Sequence, residues 1–181
     1  MRRRLRRLLA CQSGYSLIEL LAVTAILAVV IGSLTTLFVA AMNSEAEMSR
    51  RFQAQQSARR AVDRLRREVH CAENVAPAGA SSSITLTLPS QCPTAGGVAG
   101  GPAVTVVYNT ELISSGRYRL RRAGVTVADY VTAANVFDYT APATGKLGFL
   151  RVDMPVNLRP SETGKTWRLV SDIVLRNTSR L

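Results

Sequence analysis

Gly14-Tyr15-Ser16-Leu17-Ile18-Glu19-Leu20-Leu21 sits at the junction of two very different stretches of chain. Before it lies a short leader carrying Arg2, Arg3, Arg4, Arg6 and Arg7. After it, from Leu17 to Met42, Glu19 is the only ionisable side chain and proline is absent. As a helix rising about 1.5 Å per residue, that run exceeds a hydrocarbon core of roughly 30 Å and can cross a bilayer. Beyond it Glu45 and Glu47 offset Arg50 and Arg51. The positive-inside rule therefore places the N-terminus in the cytoplasm and the remainder outside.

An ordinary secretory signal has an apolar core of about 7 to 15 residues followed by a small-residue cleavage site, and this run is longer and lacks that ending. An uncleaved signal anchor is the plain alternative. Glu19 speaks against it, because a carboxylate at the start of a spanning helix is costly unless it has a partner or snorkels to the headgroups.

Glycine, glutamate, basic leader and apolar helix, all in register, resemble the processing site of type IV prepilins and type II secretion pseudopilins. In that family a prepilin peptidase cuts after the glycine on the cytoplasmic side and methylates the new amine. The resemblance implies that Gly14 ends the leader, that Tyr15 is the methylated N-terminus and that Glu19 is the fifth mature residue. Phenylalanine is the usual first mature residue, so Tyr15 departs from the pattern. A glycine before the scissile bond brings no side chain into a protease cleft and leaves the backbone free. Cleavage creates a charged amine, which Glu19 of a neighbouring parallel helix could neutralise, so that neither charge is buried alone.

Removing the leader changes the composition. The 181 residues less the 14 of the leader leave 167, enough for the long helix and one domain of about 100 residues. The formal charge of +11 loses five arginines and becomes +6. Cys11 also leaves, so that Cys71 and Cys92 remain as an even pair in an oxidising exterior. A disulfide between them would close a loop worth roughly 3 kcal/mol on the chain-entropy account; the alternative is two buried thiols.

Past the membrane the helix is expected to continue to about Glu73. Met48, Phe52, Gln55, Ala58, Val62, Leu65 and Val69 recur at steps of three and four and are expected to face a sheet. The arginines of the other faces stay wet, with Arg64 to Glu68 among the four-residue charge pairs. Ala76 to Ser83 reads as a Pro/Gly/Ala/Ser linker. Strands are expected at Ile84 to Leu88, Val104 to Tyr108, Arg117 to Arg122, Val125 to Tyr130, Val136 to Tyr139, Leu147 to Met154 and Trp167 to Leu175, with a hairpin turn at Ala123-Gly124. Helix first and strands afterwards gives an α+β fold, a long N-terminal helix laid on a largely antiparallel sheet. The organisation is then a leader at 1–14, a transmembrane and assembly helix at 15–42, its amphipathic extension at 43–75 and a β-rich domain at 76–181.

A second resemblance covers more of the chain. Leu65-Arg66-Arg67-Glu68, Tyr118-Arg119-Leu120-Arg121-Arg122, Val136-Phe137-Asp138-Tyr139 and Val174-Leu175-Arg176-Asn177 are similar to the pattern of W-type minor pilins and of minor pseudopilin J of type II secretion. Major pilins often carry proline at the twenty-second mature position, where this chain has Thr36. The resemblance implies a minor subunit of a pilus-like filament, with other pilins, the prepilin peptidase and the membrane as partners.

Catalytic patterns do not survive inspection. Gly164-Lys165-Thr166 lacks the earlier glycine of a phosphate-binding loop, that position being Arg159, and it reads as a hairpin turn. Gly96-Gly97-Val98-Ala99-Gly100-Gly101 has no following lysine or helix and reads as a loop. His70 has no second ligand pair spaced for zinc and reads as a surface histidine. Asn177-Thr178-Ser179 fits a glycosylation triplet that matters only in a glycosylating host. No cofactor or metal and no enzymatic activity is expected. Arg117, Arg119 and Arg121 share one strand face and are candidates for DNA phosphate contact, as in a competence pilus. The other reading of that row is solvated edge protection.

Overall fold

The computed structural model describes residues 15–92 and 101–176. Gly14, the glycine loop at 96–101 apart from Gly101, and the triplet at 177–179 lie outside them. One helix, α1, runs Leu17–Cys71 without a break, as expected of a segment with no proline and a single glycine, Gly32. It stops at Cys71, short of Glu73. Ala72 N–H donates to the carbonyls of Glu68 (2.8 Å) and Val69 (3.2 Å), after which Glu73 N–H turns to Thr87 O (2.9 Å) in the sheet. The chain divides into two units between Glu47 and Met48, and the packed core belongs to the second.

Nine strands follow: β1 Asn74–Ala76, β2 Gly79–Ser81, β3 Ser83–Leu88, β4 Val104–Ser114, β5 Arg117–Arg122, β6 Val125–Val131, β7 Phe137–Thr140, β8 Phe149–Val156 and β9 Trp167–Val174. All pair antiparallel, in the order β1-β3-β4-β5-β6-β8-β7-β2, with β9 on the other side of β8. The sheet curls, since its two ends, β1 and β2, are neighbours in sequence. These two strands replace the expected linker. Ala76 to Ser83 has linker composition, but its backbone pairs Ala76 with Thr85 and Ala80 with Asp138, which requires N–H and C=O groups and little from the side chains. β4 also runs past Tyr108 to Ser114, because β5 offers it a partner along that length.

The β5–β6 hairpin turns at Ala123 (φ 45°) and Gly124 (φ 84°), the left-handed pair that a two-residue hairpin needs. α1 buries Ala54, Ala58, Ala61, Val62, Leu65 and Val69 against alternating sheet positions such as Ile84, Leu86, Leu120, Leu150, Val152 and Met154. Two expected core residues are elsewhere: Met48 is 75% exposed and Phe52 65%. At about 100° per residue they lie roughly 100–140° around the helix from the buried centre, because successive four-residue steps overshoot a turn.

Candidate processing and assembly site

Ser16 carbonyl accepts the N–H groups of Glu19 (3.0 Å) and Leu20 (3.1 Å), so the helical ladder begins immediately after Tyr15-Ser16. Glu19 lies in the first turn, where the exposed N–H groups of a helix favour a negative side chain. It is exposed and makes no ion pair among the described residues. Every large apolar side chain from Leu17 to Met42 is exposed too, and an 18-residue window of α1 reaches a mean hydropathy of 2.5 with none of it buried. The few hydroxyls there close on their own helix: Thr24 to Leu21 O (3.0 Å), Ser33 to Val30 O (2.8 Å), Thr35 to Ile31 O (2.8 Å) and Thr36 to Ser33 O (2.8 Å). A helix surrounded by lipid must satisfy its polar groups internally, and these four hydroxyls meet that condition.

At the far end of α1, Cys71 is bonded to Cys92 with Cα atoms 6.0 Å apart, which fixes the last helical turn to the segment after β3. Three turns of the same helix lie along β9. Arg59 stacks over the Trp167 ring (5.4 Å to its centroid), Arg66 donates to Ser171 Oγ (2.9 Å), and His70 Nδ1–H donates to Val174 O (2.9 Å). His70 is therefore a partly buried clasp on the edge strand and less open than a surface histidine. Among the described residues no cluster of three His, Cys, Asp or Glu could hold a metal ion.

The sequence placed Glu68 on a wet face, opposite Arg64. It is fully buried. Its carboxylate accepts from Tyr108 Oη (2.8 Å), Arg122 Nη2 (2.9 Å) and Nε (3.0 Å), and Arg64 Nε (3.2 Å). Burial, then the charge and hydrogen bond of Glu68, push the Tyr108 phenol well above its ordinary range. Burial pulls the Arg122 guanidinium down, but the hydrogen bond and charge of Glu68 more than offset this and leave it raised. The sequence did hold a signal: Glu68 falls three residues after Leu65 and seven after Ala61, in line with the apolar stripe.

Arg117, Arg119 and Arg121 share the face of β5 opposite buried Leu120, as the alternation required. Each meets a carboxylate. Arg117 Nη2 is 3.3 Å and Arg119 Nε 3.8 Å from Asp129 Oδ2, and Arg121 Nη1 is 3.1 Å from Glu111 Oε1. Arg117 also stacks on Tyr130, 4.0 Å from the ring centroid. Thr163–Lys165 is one 3-10 turn between β8 and β9, and Lys165 pairs with Glu162. Hydrogen bonds from Lys165 and then Arg159 hold the Glu162 carboxyl at about 2. A cleft of about 480 Å³ lies beside Asn135, Pro155 and Thr166, walled by the Arg168–Asp153 ion pair.

No curated protein and no solved structure matches the chain. One family does match, the prokaryotic N-terminal methylation motif, over residues 9–35, which span the glycine, Tyr15, Glu19 and the first turns of α1. This chain carries the type IV prepilin-like N-terminal methylation motif at the head of a long exposed apolar helix.

Proposed function

We propose that the protein is a minor pilin or pseudopilin, a structural subunit and not an enzyme, acting in the initiation or tip complex of a type IV pilus-like or type II secretion filament. The observation that carries this reading is the methylation motif at residues 9–35 coinciding with the start of a helix whose apolar side chains have no cover. In this reading prepilin peptidase cuts after Gly14, Tyr15 becomes the methylated N-terminus, and residues 15–42 hold the subunit in the cytoplasmic membrane with the C-terminal domain outside. Glu19, which makes no ion pair among the described residues, pairs with the Tyr15 amine of a neighbouring pilin on assembly. Thr36, at a position where major pilins often have proline, supports a minor subunit.

The DNA-uptake reading draws no support from β5, where Arg117, Arg119 and Arg121 are already paired with Asp129 and Glu111. The test is the intact mass of the membrane-extracted chain. A mature protein beginning at methylated Tyr15 is expected, and Gly14→Trp should accumulate as the full-length precursor. Retention of Met1 to Gly14 in the native protein would leave a plain membrane anchor instead.

A further inference from the structure

We infer that the free edge of β9 takes up an extended, net-acidic segment of a partner protein as an added antiparallel strand, a contact that does not depend on filament assembly. The strand registers define the edge. Leu175 N–H donates to Gly148 O (2.9 Å) just past the β8–β9 ladder, and Val174 faces Phe149, so the odd-numbered residues of β9 exchange hydrogen bonds with β8. The even-numbered ones point their N–H and C=O groups the other way, where no strand follows. His70 donates to Val174 O (2.9 Å), but the outward groups of Arg168, Val170 and Asp172 have no partner among the described residues. β1 and β2, which end the sheet, are three residues long, whereas β9 is eight, with no proline, glycine or bulge. Such an edge is a template for one more strand.

The side chains along the edge specify the added strand. On the outer face Arg168, Val170 (45% exposed) and Asp172 stand in a row at two-residue spacing. Arg168 uses Nε and Nη2 on Asp153, which leaves Nη1 for a second carboxylate. Asp172 is exposed and makes no ion pair among the described residues. On the inner face Arg59 and Arg66 reach from α1 to Trp167 and Ser171, with Asp63 the one carboxylate in their stripe. An antiparallel segment reading basic, acidic, aliphatic, aliphatic, acidic, set opposite Asp172, Ser171, Val170, Leu169 and Arg168 in turn, answers each position. A second copy of β9 is the poorer occupant. Centred on Val170 it would match Arg168 with Asp172, but the two Ser171 residues, and the Arg66 side chains held on them, would come about 8 Å apart, within a Debye length.

The probe is the acetylated, amidated heptapeptide Thr-Lys-Glu-Val-Ile-Glu-Thr, added to the full-length chain in detergent micelles while amide hydrogen exchange is followed residue by residue. Exchange at Val170 and Asp172 should slow by about tenfold at about 90% occupancy, while Leu169 and Ser171, already bonded to β8, keep their rates. N-methylation of the peptide's valine, whose N–H would face Val170 O, should abolish the protection. N-methylation of the glutamate before it, whose N–H points away, should not. Asp172→Lys should weaken binding about fivefold, and replacing the peptide's lysine by glutamate should restore it. No protection at the solubility limit of the peptide, equal protection by the valine-methylated peptide, or indifference to Asp172→Lys overturns the inference. Protection that rises with protein concentration in the absence of peptide shows two copies pairing and overturns it as well.

Discussion

Replacing Arg122 by methionine keeps most of the side-chain volume but removes the principal counter-charge of a fully buried carboxylate. Breaking a buried pair from one side typically costs about 3–5 kcal/mol, because the remaining charge is left in a poorly solvated site. Here Tyr108 Oη and Arg64 Nε still donate to Glu68, the latter from a side chain that is 44% exposed, so the lower end applies, about 3 kcal/mol. Urea unfolding of Met48–Leu181, the unit that contains the whole core, is the assay. The midpoint should fall with little change in slope. Glu68→Leu combined with Arg122→Met should recover much of the loss, because an apolar replacement of a buried pair is often neutral, and the two changes should therefore couple by about 2 kcal/mol. For comparison, breaking the exposed Arg159–Glu162 pair should move the midpoint far less, because solvent screens it. A cost for Arg122→Met no greater than that of the surface pair would refute the role of Glu68 as the anchor of the helix on β4 and β5.

Glu19→Val should be processed and inserted but fail to enter filaments, which cell fractionation and sheared-filament composition would show; normal incorporation sinks the pairing role. Changing Arg117, Arg119 and Arg121 to glutamine should leave filament assembly intact and the weak DNA binding of the domain at physiological salt unaltered. Tight wild-type binding abolished by the triple change, with a salt slope flatter by about 0.9 for each phosphate no longer neutralised, would instead favour DNA capture. Tyr108 makes a pH prediction. Its folded pKa is raised, so the associated stability is complete below the ordinary tyrosine value near 10 and is lost as pH rises towards the folded value. Alkaline unfolding should show this decline in the wild type and lose it in Tyr108→Phe; identical profiles would contradict the assignment.

The N-terminal motif and the long apolar helix of this protein were readable from sequence because their determinants are local and sequential. A glycine, a carboxylate five positions on and an uncharged run longer than a bilayer is thick each act through order along the chain, and the methylation-motif match falls on the same residues. Strands with strict alternation, β3 and β7 among them, were legible for the same reason. The tertiary structure decided what depends on neighbours distant in sequence. Only pairing with β3 and β7 makes strands of Asn74–Ala76 and Gly79–Ser81, whose side chains favour a loop. Only the closeness of β4 and β5 turns Glu68 from a partner of Arg64 on the surface into a buried acceptor for Tyr108 and Arg122, and Met48 and Phe52 lie on a side of the helix that the sheet does not cover. Periodicity marks which side of a helix is apolar, whereas the reach of the sheet determines how far along the helix that side is buried.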